Sequence, residues 1–145
     1  MKKYIYTALF LLLSTKADAD WTKIGVFYDI DKNPNLVAYY DKTTRKGNGK
    51  IYEALLLWSF ETPWMSLDKK KKQFIFYSSA IVHFNVDCST HKFKISNIKV
   101  YDQKMGTGTQ LDYVPEDFDE KSGWQEVRDQ SLGEANAETI CSITQ

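Results

Sequence analysis

Between Ser79 and Cys88 apolar and polar residues alternate, the period of a strand with one buried face. Ala80, Val82, Phe84, Val86 and Cys88 fall on one side, and Ser79, Ile81, His83, Asn85 and Asp87 on the other. Cys88 therefore points into the core. Trp21 to Tyr28 is rich in aromatic and β-branched residues, and Asp31-Lys32-Asn33-Pro34-Asn35 ends it with turn chemistry. Leu36 to Tyr40 follows as a short strand. Asp41 to Asn48 reads as a loop whose second half invites a tight turn. Ile51 to Phe60 is the most apolar stretch. Its even positions (Tyr52, Ala54, Leu56, Trp58, Phe60) are all core-like, and its odd positions mix Ile51, Leu55 and Leu57 with Glu53 and Ser59. A strand apolar on both faces is usually central and covered on both sides. Phe60 to Gln73, with Pro63, Trp64 and Lys69-Lys70-Lys71-Lys72, is expected to be a loop.

Phe93 to Tyr101 predicts a further strand. Its apolar phase changes between Ile95 and Ile98, which predicts a bulge near Asn97 or cover on both faces. Met105-Gly106-Thr107-Gly108 reads as a hairpin turn leading to Thr109–Tyr113, and Pro115 to Gly123 as an acidic loop. Ser131 and Glu134 have the spacing of a capping box, so the sequence predicts a helix from Leu132 to about Ser142. Gly133, Ala137, Ile140 and Cys141 form its inner stripe, with Leu132 and Ala135 nearby, and the small residues would let it lie close to a sheet.

The N-terminus changes how the two cysteines are read. Met1-Lys2-Lys3 precedes the apolar run Tyr4–Leu13, and Ala17-Asp18-Ala19 has an Ala-x-Ala cleavage pattern. Residues 1–19 therefore read as a signal peptide and residues 20–145 as a single domain. The apolar run is shorter than the roughly 20 residues a membrane helix needs. No cysteine lies near the expected cut, so no lipid anchor is evident, and the product is expected in the periplasm or at or outside the cell surface. Such compartments favour disulfides, which makes Cys88–Cys141 an expected bond. In the chain-entropy model a loop of this length stabilises by roughly 4 kcal/mol, a large share of a small domain's net stability.

Loss of Lys2, Lys3 and Lys16 against the single acid Asp18 takes the net charge from zero to about −2. That balance argues against a nucleic-acid binder, which carries a basic surplus.

Trp21, Tyr39-Tyr40-Asp41 with Thr43, Trp58, Tyr77-Ser78-Ser79, Asp87-Cys88, Met105-Gly106-Thr107-Gly108, Trp124 with Val127, and Ile140-Cys141 occur in an order and spacing that resembles the surface-adhesin protein E family of small exported bacterial proteins. The resemblance covers essentially the whole chain after the signal peptide. It implies an α+β fold: an antiparallel sheet of about six strands, with a C-terminal helix on one face tethered by the disulfide. It also implies adhesion to host extracellular-matrix proteins. Two departures stand out. The namesake-type adhesin is a lipoprotein, whereas this chain lacks the lipid-accepting cysteine, and the Thr62–Gln73 insert is longer than the family's usual loop.

Candidate chemistry is sparse. Asp29-x-Asp31-x-Asn33 starts like a calcium loop, but Pro34 and Tyr40 stand where Gly and Glu are needed. Glu116, Asp117, Asp119 and Glu120 read as a solvated acidic loop. His83 and His91 lack the further ligands zinc needs. Ser78-Ser79 has no G-x-S-x-G context, and Gly106-x-Gly108 lacks the third glycine of a phosphate-binding turn. Neither an enzyme nor a cofactor is expected.

Two binding surfaces remain. Lys69, Lys70, Lys71 and Lys72, flanked by Trp64 and Phe74, suit sulfated polysaccharide, anionic lipid or an acidic protein patch. The plainer alternative is a solvated loop that protects strand edges. The polar strand face around His83, Asn85 and Asp87 reads either as a second surface or as ordinary solvent-facing sheet. The resulting expectation is a non-catalytic exported binding protein, adhesin-like, with a host matrix protein or sulfated glycan as partner. The alternative is a periplasmic envelope protein or an inhibitor of a lysozyme-type enzyme.

Overall fold

Five strands paired in chain order make the body of one antiparallel sheet: β1 (Trp21–Tyr28), β2 (Pro34–Gly47), β3 (Ile51–Asp68), β4 (Gln73–Asp87) and β5 (Lys92–Tyr101). The structure is a computed structural model that describes residues 19–29, 31–32, 34–68, 70–113 and 123–143. Two short strands, β6 (Gln110–Leu111) and β7 (Gln125–Glu126), pair with opposite ends of β5. The helix α1 (Leu132–Ser142) closes the chain. The expected α+β architecture, a sheet of about six strands with one C-terminal helix, is the one observed.

β3 and β4 carry the core, as their patterns require. Ala54, Leu56 and Phe60 of β3 and Ala80, Val82, Phe84 and Val86 of β4 are buried on the face that α1 covers with Ala137 and Ile140. Cys88 and Cys141 pack at the margin of this cluster and are bonded, with their Cα atoms 5.7 Å apart and 53 residues between them in sequence. Ser131 caps the helix, its Oγ accepting from the Glu134 amide at 3.1 Å. The other half of the capping box closes one residue earlier than its usual form: Glu134 accepts from the Gln130 amide at 2.5 Å. A Cβ at Gly133 would lie 3.2 Å from the Phe93 ring, so the small residue does permit a close approach.

The second face of β3 is covered as well, by the connection between β5 and β6. Its 3₁₀ turn, Lys104–Gly106, folds back over Leu57 and Ile81. Leu57 is fully buried as a result. The Asp102 amide donates to the Thr109 carbonyl, so the segment is a hairpin connection as expected, although β6 is shorter than Thr109–Tyr113. The expected bulge in β5 is present: His83 pairs with Asn97 and Phe84 with Ile95, leaving Ser96 extra.

Two expectations are corrected. Asp41–Asn48 is mostly strand rather than loop, because β2 continues to Gly47 around a bulge at Lys42–Arg45. The buried Asp41 carboxylate accepts from the Thr43 amide and hydroxyl, and Thr44 Oγ1 bridges the Asp41 carbonyl to the Leu55 amide. These side-chain bonds replace the ladder that the bulge interrupts. Likewise Phe60–Gln73 is mostly strand rather than loop: β3 runs to Asp68, β4 starts at Gln73, and the two pair from Trp64↔Tyr77 to Asp68↔Gln73. Residues 1–18, most of the expected signal peptide, lie outside the described residues, as does most of the acidic loop Pro115–Gly123.

Candidate contact surface

The outer end of the β3–β4 hairpin is the feature that no packing requirement explains. The ladder breaks after Ser59↔Ser79, where Phe60–Pro63 bulge opposite Ser78, and resumes at Trp64↔Tyr77. The extension has two distinct faces. Trp64, Ser66, Asp68, Ile75 and Tyr77 point one way, and this face is tied down. Phe60 packs edge-on against Tyr77 and beside Trp64, both at 5.6 Å between ring centres. The Tyr113 hydroxyl bonds Ser66 and donates to the Leu67 carbonyl. Met65, Leu67, Phe74 and Phe76 share the opposite face, and Met65, Phe74 and Phe76 are exposed there.

Asp68 builds the tip. Its carboxylate is turned inward and accepts from the amides of Lys70 (2.8 Å) and Lys71 (3.0 Å), while its carbonyl accepts from the Lys72 amide at 2.7 Å. Lys72 takes a positive φ of 52° to close the turn. Lys70, Lys71 and Lys72 are left exposed. Asp68 approaches the Lys71 ammonium at 4.0 Å. Lys69 lies outside the described residues.

Trp64, grouped with the lysines by its place in the sequence, is at the base of the extension. Four ladder steps, about 13 Å at the usual strand rise, separate it from Asp68. The apolar neighbours of the tip are instead Phe74 and Leu67. Sequence reasoning missed Met65 and Phe76; the i, i+2 spacing of Met65/Leu67 and Phe74/Phe76 was the available signal.

Several of the remaining candidates hold the fold. Ser79 is fully buried, donates to the Gln103 carbonyl at 2.5 Å and accepts from the Gly106 amide at 2.9 Å, so it anchors the covering loop. Ser59 Oγ accepts from the neighbouring Met105 amide. On the polar strand face, Asn85 bonds Ser96 across to β5 and His83 is exposed. Asp87 accepts from the Ser89 hydroxyl (2.6 Å) and amide (2.9 Å) and from the Thr90 amide, caps the turn that follows Cys88, and has its carboxyl lowered to about 2, chiefly by the Ser89 hydroxyl. Asp29 accepts from the Asp31 amide, an Asx turn rather than a ligand loop; Asn33 lies outside the described residues.

His91 lines an open cleft of about 860 Å³ between α1 and the β4–β5 turn, together with Asp87, Cys88, Glu134 and Glu138. Two of those acids are committed, Asp87 to its turn and Glu134 to the helix cap. Among the described residues no group of three or more His, Cys, Asp or Glu side chains is placed to hold a metal ion. Glu116, Asp117, Asp119 and Glu120 lie outside the described residues. No helix among the described residues is long and apolar enough to cross a membrane.

The family model described as surface-adhesin protein E matches residues 21–142. Two solved structures of Haemophilus influenzae protein E share the fold. Crystal form II aligns with a TM-score of 0.55 at 15% identity, covering 81% of this chain and 87% of that one. The selenomethionine form aligns at 0.54 and 15% identity, covering 81% and 86%. At that identity the likeness speaks for the fold. No curated protein matches the sequence significantly.

Proposed function

The chain belongs to the surface-adhesin protein E family, and from that membership we propose that it is an exported, non-catalytic, adhesin-like protein that makes contact through the tip of its β3–β4 hairpin. In this reading residues 1–19 are removed on export and residues 20–145 form the working domain, in the periplasm or at the cell surface. The carrying observation is the construction of the tip. A buried Asp68 spends its carboxylate on backbone amides, so the lysine side chains fan outward from a fixed turn with little internal neutralisation. A host matrix protein with an acidic patch, or a sulfated glycan, complements that charge.

Lysine ammonium groups attract sulfates and carboxylates as exposed point charges, so the contact should weaken with salt. Binding of the mature chain to immobilised matrix proteins or heparin is the test. It should be saturable and salt-sensitive, and replacing Lys69, Lys70, Lys71 and Lys72 with Ser should weaken it by about tenfold or more. Unchanged affinity in that variant would remove the tip from the account.

A further inference from the structure

The adhesin reading uses the charged tip of the hairpin and leaves its apolar face without a role. Met65 sits directly across the ladder from Phe76, and Leu67 directly across from Phe74. Met65, Phe74 and Phe76 are 54%, 62% and 58% exposed, whereas on the other face of the same two strands Tyr77 is buried against Phe60, Tyr113 bonds Ser66, and Trp64 is half-exposed. One face of one hairpin thus groups three of the four most exposed large apolar side chains among the described residues. Such grouping marks an interaction site, since scattered single residues are the ordinary case.

We propose that this hairpin seats on an anionic lipid bilayer, with Met65, Leu67, Phe74 and Phe76 at the acyl boundary and Lys70, Lys71 and Lys72 among the phosphate headgroups. Charge selects the occupant. An apolar face alone suits any apolar partner, but here the exposed lysines end two residues before Phe74, at Lys72. The partner must therefore offer a negative layer bordering an apolar one, which is the cross-section of a bilayer with acidic headgroups. Phe and Met side chains partition into the boundary. Lysine stems lie along it while their ammonium groups reach the phosphates, and each cation near the surface adds to the attraction. A sulfated glycan satisfies the lysines but offers nothing to the apolar face.

This inference goes beyond the adhesin reading, and the two can be separated. The mature chain, disulfide intact, is sedimented with vesicles of phosphatidylcholine alone and of phosphatidylcholine with phosphatidylglycerol. Association is expected only with the anionic vesicles and should fall at high salt. Two variants, Phe74→Ser with Phe76→Ser, and Lys70→Ser with Lys71→Ser and Lys72→Ser, should each lower it by about tenfold or more. Both should keep the wild-type melting temperature within a few degrees, because these side chains are exposed. On a heparin column the phenylalanine variant should be retained like wild type and the lysine variant should not. Absence of anionic-vesicle association, equal association with neutral vesicles, or undiminished association of the phenylalanine variant overturns the proposal. So does a solution oligomer that the phenylalanine variant disperses, which would assign the face to a second copy.

Discussion

Arg45 Nε donates to the main-chain carbonyl of Ile140 at 3.0 Å, joining the β2 bulge to the last turn of α1 across 95 residues of sequence. The guanidinium lies 4.0 Å above the Tyr52 ring. A cation at a helix C-terminus opposes the negative end of the helix dipole and satisfies a carbonyl the helix leaves open. The helix is therefore held at its end twice, by Arg45 at Ile140 and by the disulfide at Cys141. Arg45→Ala should cost about 1–2 kcal/mol in urea unfolding. Lys at this position should recover only part of that, since it cannot both stack on Tyr52 and donate from a planar fork. Full recovery with Lys would show that charge alone matters.

Removal of the disulfide tests the other tether. Cys141→Ser should lower stability by about 2–5 kcal/mol, as for native disulfides in small exported domains. Amide exchange should rise most in Leu132–Ser142 and least in β3 and β4, whose ladder does not depend on the helix end. Uniform loss of protection across the sheet would instead make the helix essential to folding.

Asp87 supplies a pH-dependent contribution. Its carboxyl sits at about 2, below its ordinary value of 3.8, because the Ser89 hydroxyl and the Ser89 and Thr90 amides favour the charged form. A carboxyl lowered in the folded state stabilises fully above its unfolded value, and that contribution is lost as pH falls through the folded one. The melting temperature of the wild type should therefore drop between about pH 4 and pH 2 more steeply than that of Asp87→Asn. Parallel curves would assign the acid sensitivity to other carboxyls.

Ser79 and Gly106 hold the loop that covers the second sheet face. Ser79→Ala leaves the Gly106 amide and the Gln103 carbonyl without their partner and should cost about 1–3 kcal/mol. At Gly106, φ is +67° and an added Cβ would come 3.0 Å from Ile81 Cδ1, so Gly106→Ala should destabilise by about 1–2 kcal/mol through strain and crowding. Thermal melts of the two variants check both; a neutral Gly106→Ala would mean that Ile81 rotates away freely.

Much of the fold was legible because its strands bury one face and its helix is capped. β4 alternates as its burial does, the phase change in β5 marks the Ser96 bulge, and Ser131 starts α1. The two misread segments fail for physical reasons. The β2 bulge is stitched by Asp41, Thr43 and Thr44 side chains, which read from sequence as turn formers. In the hairpin extension the usual sense of the alternation is reversed, since polar Ser66 and Asp68 lie on the tied-down face while Met65, Phe74 and Phe76 are exposed, and Pro63 with the lysine run looks like loop chemistry. Asn136, fully buried on α1 and without a side-chain hydrogen bond to any described residue, lies beside the expected apolar stripe, and nothing in the pattern announced it. The candidate surface was half legible: the lysines carry their charge in the sequence, whereas pairing of Met65 with Phe76 appears only once the ladder is drawn.

The central claim is that this protein meets its partner through the β3–β4 hairpin. Amide chemical-shift mapping of residues 20–145, titrated with heparin fragments and then with anionic lipid nanodiscs, tests it most directly. The account predicts shifts concentrated between Trp64 and Tyr77, with the cleft around His91 and Glu138 unchanged. Shifts centred on that cleft, or on the His83 face, with a silent hairpin would contradict it.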